Sequence, residues 1–399
     1  MKKGWRRKRL GDVLEIQNGY AFDSAGFNPT KGMPLVRIRS LKSGTETETR
    51  FDGDHDKKYV VKAGDLLIGM DGEFGCYEWK GEPALLNQRV CRLQGFTGEL
   101  VPRFLFYGVN DYLKAIEDVT GYATVKHLSS KQVLAIEFPV PPLPEQRRIV
   151  GILDEAFAGI ATAKANAEKN LQNARAIFES HLQSVFTKRG DGWVETTIGE
   201  VCTLRSGTTL PKEIEKSSGE IPYLKVADMS ISDNLNGVTR SSRYVNKSDV
   251  NANNLLPVGA TIFPKRGGAI LTNKKRLTKR VICADLNIMG VTPGKALLPQ
   301  LLYFYFLNVD MRELGSGSSI PQINNYDIEP MAISFPNLQS EQITIVKQLE
   351  SLSAETQSLA SVYQRKLAAL EALKKSLLHQ AFNGELSTPQ SVTRAMATV

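Results

Sequence analysis

The chain has 399 residues, of which 42% are hydrophobic and 23% charged, so it is long enough for two or three domains and too apolar for a wholly disordered protein. Lys and Arg number 50 against 42 Asp and Glu, and the resulting net charge of +8 suggests a polyanionic partner. The four cysteines and four histidines have no metal-ligand or disulfide spacing, and no run of about 18 apolar residues occurs. We therefore expect a soluble cytoplasmic protein that binds no metal and spans no membrane.

The chain repeats itself along most of its length. The segment Gly-Trp followed by Leu-Gly-Asp-Val, which begins at Gly4, recurs as Gly-Trp followed by Ile-Gly-Glu-Val from Gly192, an offset of 188 residues. The run Pro-Leu-Val-Arg-Ile from Pro34 matches Pro-Tyr-Leu-Lys-Val from Pro222 at the same offset, as does Gly19 with Gly207. Later pairs, among them Glu145-Gln146 with Glu341-Gln342, are 195 to 197 residues apart. An ordered series of matches at slowly drifting offsets indicates a tandem duplication.

Each half begins with a β-rich part and ends with a long helix. Residues 1–144 and 190–340 contain short apolar runs broken by Gly and Pro, which is typical of strands joined by turns. Residues 145–189 and 341–385 contain no proline, and their apolar residues recur at steps of three and four. This spacing predicts two helices of about 60 Å, each with a coiled-coil seam. The remaining tail, 386–399, is rich in Ser and Thr and is predicted to be disordered.

The two helices are expected to pack on each other. Helices of this length exceed the radius of a domain, so part of each one needs a partner. Because a whole globular part joins them, they can run antiparallel. The predicted fold class is therefore α+β, with two tandem-repeated mixed α/β domains separated by two long helices that form an antiparallel coiled coil.

No familiar catalytic motif is found. The chain has no GxxxxGK[ST] loop, no GxGxxG after a strand, no HExxH and no GxSxG. The triplet Asp56-Lys57-Lys58 contains the acid-x-Lys fragment of many nucleases, but such a triplet arises often on solvated loops. A duplicated enzyme would also need its catalytic residues in both halves. A stand-alone enzyme is therefore disfavoured, and we expect a non-catalytic chain.

Side chains suited to DNA recognition lie on loops between the predicted strands of both halves. Arg and Lys match guanine edges and phosphates, whereas Asn and Gln match adenine. The first-half candidates are Gln17, Asn18, Tyr20, Arg37, Arg39, Lys42, Asn87, Gln88, Arg89, Lys126 and His127. The second-half candidates are Arg205, Thr208, Lys225, Lys265, Arg266, Lys274, Lys275, Arg276, Lys279 and Gln322. The cluster from Lys274 to Arg280 is the strongest signal because its five cations favour an anionic partner, although phosphate contacts carry no sequence information.

The order of these parts resembles the specificity subunits of type I restriction-modification systems. The resemblance rests on the two Gly-Trp segments, on the run from Phe138 to Val150 that opens the first helix, and on Ala284 to Val291; it extends over about residues 4–386. It implies two target recognition domains that each read one half of a bipartite DNA site. The antiparallel helices would act as a ruler and as docking surfaces for two modification subunits.

The resemblance also implies a division of labour. The family's modification subunits carry S-adenosylmethionine and methylate adenine, and its restriction subunits use ATP and Mg to translocate and cut DNA, while the specificity subunit binds none of these cofactors. Because residues 70–72 and their counterparts 265–267 differ, we expect two unlike half-sites. The alternative is a non-catalytic assembly scaffold that uses the coiled coil to bind proteins and reads no DNA sequence.

Overall fold

The computed structural model describes residues 4–120, 126–188, 190–314 and 321–386. In the first half the strands are β1 (Arg6–Arg9), β2 (Glu15–Asn18), β3 (Phe27–Asn28), β4 (Met33–Val36), β5 (Arg50–Phe51), β6 (Val60–Val61), β7 (Leu66–Gly69), β8 (Gly75–Glu78), β9 (Ala84–Leu86), β10 (Val90–Gln94) and β11 (Glu137–Val140). The helices of this half are α1 (Ile38–Leu41), α2 (Pro102–Val119), α3 (Ser130–Leu134) and α4 (Leu143–Thr187).

The second half repeats most of this order of elements. Its strands are β12 (Trp193–Thr197), β13 (Cys202–Ser206), β14 (Ile221–Leu224), β15 (Tyr244–Val245), β16 (Leu255–Leu256), β17 (Thr261–Pro264), β18 (Arg276–Leu277), β19 (Ile282–Ala284), β20 (Ile288–Pro293) and β21 (Ala332–Pro336). Its helices are α5 (Ile198–Val201), α6 (Pro299–Leu307), α7 (Asn325–Ile328) and α8 (Gln339–Asn383).

The sheets of the two halves correspond in topology. The first half has sheets in the orders β2-β10-β7-β8 and β3-β5-β4-β9-β6, and β1 pairs with β11. In the second half β13-β20-β17-β18 repeats the first of these, β15-β14-β19-β16 repeats most of the other, and β12 pairs with β21. A parallel pair, β4 with β9 and β14 with β19, occupies the same place in each half. The predicted tandem α+β repeat is therefore confirmed.

Each half packs one sheet face against its own helix and against the long helices. In the first half Ile68 of β7 and Leu93 of β10 face α2, where Phe104 is fully buried. Ile149 of α4 and Leu377 of α8 belong to the same core. The second half repeats the arrangement with β17, β20 and α6 against both long helices. The long helices thus bury part of their apolar surface against the domains.

The described residues divide into two compact units. One holds the described residues up to 167 and from 365 onward, and the other holds those from 168 to 364. In the first unit the last turns of α8 are part of the core, because the Phe382 ring lies 5.0 Å from that of Phe104 and 5.8 Å from that of Phe138. This unit is therefore assembled from both ends of the chain.

The two long helices run antiparallel, as predicted. In the first unit Lys164 Nζ and Glu371 Oε1 are 2.8 Å apart, and Lys374 Nζ lies 5.3 Å from the centre of the Phe157 ring. Residue numbers thus fall along α8 as they rise along α4. Both helices begin two residues before the predicted positions 145 and 341. In α4 this is possible because the first turn of a helix accepts a proline such as Pro144. Of the tail predicted to be disordered, Leu386 is instead buried in the first core, and residues 387–399 lie outside the described residues.

A buried glutamine attaches each long helix to its domain. The Gln146 side chain is fully buried in the first turn of α4 and accepts a hydrogen bond from the Val101 N–H at 2.8 Å. Its amide nitrogen donates to the carbonyl oxygens of Glu99 and Pro141, each at 2.8 Å. Only a side chain with both an acceptor and two donors can make this junction.

The second half makes the same junction. Gln342 of α8 is also fully buried, and its side-chain oxygen accepts from the Leu298 N–H at 2.9 Å. Its amide nitrogen donates to the carbonyl oxygens of Ala296 and Pro336, each at 2.8 Å. The Glu-Gln pair that recurs in the sequence therefore recurs because each helix start needs this glutamine.

Candidate nucleic-acid interface

Backbone hydrogen bonds bring most of the first-half candidates together at one end of the strands β2, β10 and β7. The N–H of Gln88 donates to the carbonyl oxygen of Tyr20 at 2.8 Å, and the N–H of Met70 donates to that of Arg89 at 2.9 Å. The N–H of Leu128 then donates to the Met70 carbonyl at 2.7 Å. We call this group of segments the first loop cluster; it comprises residues 17–20, 70–73, 87–89 and 126–130.

The second half has an equivalent cluster. The N–H of Thr208 donates to the carbonyl oxygen of Ala284, that of Lys265 to Asn287, and that of Ile323 to Lys265, each at 2.8 Å. In the second loop cluster, residues 205–208 and 265–268 lie at the C-terminal ends of β13 and β17, and residues 285–287 precede β20. The corresponding segments of the first cluster stand in the same way to β2, β7 and β10. It comprises residues 205–208, 265–268, 285–287 and 321–326.

A glycine permits the close backbone approach in each cluster. A Cβ atom on Gly19 would lie 2.0 Å from the Asn87 carbonyl oxygen, and one on Gly207 would lie 2.1 Å from that of Asp285. No larger residue fits there without moving the backbone. The glycine that recurs after each Gly-Trp segment is thereby explained.

Asp71 is the centre of the charged contacts in the first cluster. Its carboxylate lies 2.7 Å from His127 Nδ1 and 3.3 Å from Arg89 Nε. Arg89 has the left-handed backbone conformation, with φ of 74°, and 56% of its side chain is exposed. The structure thus exposes the arginine to solvent, with the Asp71 carboxylate beside the Nε edge of its guanidinium.

The remaining first-cluster candidates divide into buried and exposed groups. Asn87 is buried, and the side chain of Gln17 bonds to the carbonyl oxygen of Lys58 at 2.8 Å and accepts from Arg92. Tyr20 is half-exposed and packs on Tyr59, with ring centres 5.2 Å apart. Asn87 and Gln17 therefore support the cluster, whereas Tyr20 lies at its surface.

Two residues that make side-chain contacts in this cluster, Ser130 and Tyr59, were not predicted from the sequence. The hydroxyl of Ser130 donates to Asn18 Oδ1 at 2.6 Å, although the two residues are 112 positions apart. Tyr59 comes from the loop before β6. The only sequence signal for Ser130 is its nearness to the candidates Lys126 and His127.

The α1 candidates lie beside the first cluster and not within it. Arg37 and Arg39 line a cavity of about 540 Å³ that also contains Glu46 and Glu48. Lys42 Nζ lies 2.6 Å from a carboxylate oxygen of Glu73, and this hydrogen bond raises the pKa of Lys42. Acidic neighbours therefore offset the positive charge of α1.

Arg266 is the corresponding centre of the second cluster. Its Nε and Nη2 donate to Gln322 Oε1 at 3.2 and 3.0 Å. Gln322 Nε2 donates to Asn324 Oδ1 at 2.6 Å, and Asn324 Nδ2 donates to the hydroxyl of Tyr326 at 2.8 Å. The Tyr326 side chain is 67% exposed, so this chain of hydrogen bonds ends at the surface. Asn324 and Tyr326 were not among the predicted residues.

The other second-half candidates make contacts within their own domain. Lys265 Nζ donates to the Ser206 hydroxyl at 2.7 Å, and burial, followed by the charge of Arg266, lowers the pKa of Lys265. Lys225 Nζ lies 2.9 Å from Glu215 Oε1. Arg205 donates to the carbonyl oxygen of Leu255, and the carbonyl oxygen of Thr208 accepts from the hydroxyl of Tyr223.

The basic segment from Lys274 to Arg280 is separate from the loop cluster, because it surrounds β18 at the edge of its sheet. Lys274 Nζ donates to the Ser230 hydroxyl at 2.6 Å, and Lys279 is exposed. Arg276 Nε donates to the carbonyl oxygen of Met229 at 3.1 Å.

Lys275 must be removed from the candidate interface. Only 3% of it is exposed, and its Nζ donates to Asn273 Oδ1 and to the Val309 carbonyl oxygen, both at 2.6 Å. Lys275 immediately precedes β18, and its side chain is turned inward, whereas its neighbours Lys274 and Arg276 are only half-buried. A run of charges in sequence therefore does not give a continuous charged surface here.

Lys275 predicts a specific pH dependence of stability. Burial lowers its pKa to about 8, against an influence of Asp310 in the opposite direction. Above pH 8 the folded protein releases this proton while the unfolded chain keeps it up to about 10.5, so stability rises with pH. Relative to Lys275→Met, the wild type should gain about 2 kcal/mol of unfolding free energy between pH 8 and 9.5. Urea unfolding of both proteins measures this; a constant difference across that range would contradict it.

Across the part of the chain that the structure describes, no group of three or more His, Cys, Asp or Glu could hold a metal ion. Burial raises the pKa of the Cys91 thiol to about 12 and that of Cys283 to about 11. No helix within the described ranges has the length and apolar character needed to cross a membrane.

The fold and the clusters together define a duplicated protein that carries two polar loop clusters of different chemistry. The family model for the type I restriction modification DNA specificity domain matches residues 2–172 and 190–365. The chain therefore belongs to this family, the specificity subunits of type I restriction-modification systems.

Individual relatives agree with this assignment. The chain is 29% identical to the type I restriction enzyme EcoBI specificity subunit of Escherichia coli, over 96% of this chain and 86% of that protein. It is 22% identical to the putative type I restriction enzyme MjaX specificity subunit of Methanocaldococcus jannaschii, over 96% and 93% of the two chains.

Two solved structures share the fold. A chain from work on complex assembly and conformational transition of the type I R-M system superposes with a TM-score of 0.74, at 20% identity over 97% of this chain and 99% of that one. The HsdS subunit from Thermoanaerobacter tengcongensis superposes with a TM-score of 0.56, at 19% identity over 97% and 98%.

Proposed function

We propose that each loop cluster reads one half of a bipartite DNA site, and that this reading directs adenine methylation and restriction by partner subunits. The observation that carries the proposal is that the two loop clusters share the same backbone hydrogen bonds but carry different side chains. Asp71 and His127 occupy the places in the first cluster that Arg266 and Gln322 occupy in the second. Different donors and acceptors on one frame are what two unlike half-sites require.

The basic residues around β18 would contact the DNA backbone. Lys274, Arg276 and Lys279 lie outside the loop cluster, and their cationic side chains match phosphates. Such contacts would add affinity without sequence preference, and the two clusters would supply the preference.

The long helices would set the spacer and dock two modification subunits. Each helix has 45 residues and contributes to the core of each unit, so a stiff helix pair would fix the distance between the two clusters. Apolar side chains remain uncovered on these helices; in the second unit they include Ile177, Leu359 and Val362. Exposed apolar groups on a helix favour a protein partner.

Family membership also supports the proposed division of chemistry. S-adenosylmethionine, ATP and Mg would be bound by the modification and restriction subunits. This chain would contribute recognition and would form or break no bond itself.

Methylation mapping tests the proposal directly. The chain is expressed with its neighbouring modification subunit, and host DNA is sequenced for N6-methyladenine, with a host that expresses the modification subunit alone as the control. We expect a bipartite motif with two unlike half-sites that depends on this chain. Identical palindromic half-sites would contradict the unlike clusters, and no motif from a soluble, active complex would favour the scaffold.

A further inference from the structure

We infer that the guanine-reading arginine has changed loops between the two repeats, so that Arg89 reads the first half-site and Arg266 reads the second. The inference rests on the proposed function and names the residue, and the base, through which each cluster acts. Asp71 and Gln322 are then positioning residues.

The two arginines stand at different positions of the repeat. Asp71 and Arg266 are equivalent, because each lies two residues beyond the same strand and forms an isolated antiparallel bridge, with His127 and Gln322 respectively. The equivalent of Arg89 is instead Asn287.

Arg89 and Asn287 match by strand position and by hydrogen bonding. Each immediately precedes the next strand of its sheet, β10 or β20. The carbonyl oxygens of Arg89 and Asn287 accept from the N–H groups of Met70 and Lys265, at 2.9 and 2.8 Å. The repeat thus places the cation on one loop in the first half and on the neighbouring loop in the second.

In the first cluster the acid holds the arginine. Asp71 Oδ2 faces Arg89 Nε at 3.3 Å, while Asp71 Oδ1 is occupied by His127. The Asp71 side chain is mostly covered, whereas that of Arg89 is mostly exposed. Contact at Nε leaves the two terminal nitrogens of the guanidinium to form a fork towards a ligand.

In the second cluster the arginine itself stands at the position of the acid, and a glutamine oxygen is its acceptor. Arg266 gives its Nε and one Nη2 hydrogen to Gln322 Oε1, and Gln322 is itself oriented by its bond to Asn324. The Asn287 side chain is turned inward, since its Nδ2 donates to Asp285 Oδ1 at 2.6 Å. Arg266 therefore presents its terminal fork from the loop that carries the acid in the first cluster.

Guanine is the base that this geometry fits. Two parallel N–H groups of one guanidinium match the O6 and N7 acceptors of guanine in the major groove, and no other base offers two acceptors there. A guanidinium with one edge fixed points its fork in one direction, which base readout requires and phosphate contact does not.

The test uses Arg89→Ala and Arg266→Ala in the complex with the modification subunit, mapped by N6-methyladenine sequencing. Arg89→Ala should reduce the preference for guanine at one base pair of the first half-site by about ten- to a hundredfold and leave the second half-site unchanged. Arg266→Ala should do the reverse. In each variant the untouched half-site shows that the protein is folded and that it still reads DNA.

The positioning roles have their own readout. Asp71→Asn keeps the shape of the side chain and removes its charge, so the guanine preference should weaken at the same base pair. The exchange D71R/R89N gives the first cluster the charges of the second, and the preferred guanine should move to another position of the first half-site.

Two results would overturn the inference. One is an unchanged motif in both alanine variants. The other is a uniform loss of methylation at all sequences with a shallower salt dependence, which would identify the arginines as phosphate contacts. Failure of the proposed function looks different, because the wild-type complex would then yield no bipartite motif.

Discussion

Replacing Gln146 with alanine is expected to destabilise the protein by at least about 3 kcal/mol, because three backbone groups lose their buried hydrogen-bond partner at once. Each unsatisfied group costs about 1 to 3 kcal/mol. The loss also frees the start of α4 from the segment that precedes α2, so the effect extends to the core that both helices share. Gln342→Ala should behave in the same way in the second half, where the three bonds recur.

Chemical denaturation followed by circular dichroism measures the effect. Gln172→Ala is the matched control, since it makes the same substitution at an exposed position of the same helix, and it should change stability by less than about 0.5 kcal/mol. Gln146→Glu keeps the size but turns an acceptor towards two carbonyl oxygens, so it should be no more stable than the alanine variant. Values near the control for Gln146→Ala would show that the junction does not hold the helix.

Removing one heptad from each long helix is expected to shorten the spacer of the DNA target and to leave both half-site sequences unchanged. Segments 165–171 and 361–367 lie on facing stretches of the antiparallel pair, next to the Lys164–Glu371 ion pair. Seven residues make nearly two turns, so the apolar seam keeps its register, and the pair loses about 10 Å. At about 3.4 Å per base pair, the spacer should shorten by up to about three base pairs.

Methylation mapping of the deletion variant gives spacer and half-sites in the same experiment. Lys169→Ala changes an exposed residue within the deleted segment and keeps the helix length, so its motif should equal that of the wild type. An unchanged spacer in the deletion variant would refute the ruler. A changed half-site sequence would show that the helices also shape the reading loops.

The sequence predicted correctly those features that follow from local patterns of residues and that occur in both halves. The apolar steps of three and four predicted the starts of both helices to within two residues. The recurrence of each motif in the second half distinguished it from a chance match. The Glu-Gln pair and the glycines at 19 and 207 were visible as matches. Their reasons, a buried junction and a backbone approach that leaves no room for a Cβ atom, appear only in the structure.

The composition of the loop clusters could be predicted only in part, because it depends on which strands become neighbours. Ser130 meets Asn18 through the pairing of β10 with both β2 and β7, and no local pattern encodes that pairing. Lys275 was predicted to contact DNA but is buried. Its sequence neighbours suggested an exposed cation, whereas its ammonium group donates a hydrogen bond to the carbonyl oxygen of Val309.

The position of Phe382 has a consequence for biosynthesis. Its ring fills space beside Gly108, where a Cβ atom would lie 2.3 Å away, so the first core closes only around the last turns of α8. The unit from 168 to 364 is continuous in sequence and can close before the last turns of α8 are synthesised. Vectorial synthesis usually completes N-terminal domains first. Here the unit that contains the N-terminal domain must wait with an open apolar face until the last turns of α8 have been synthesised.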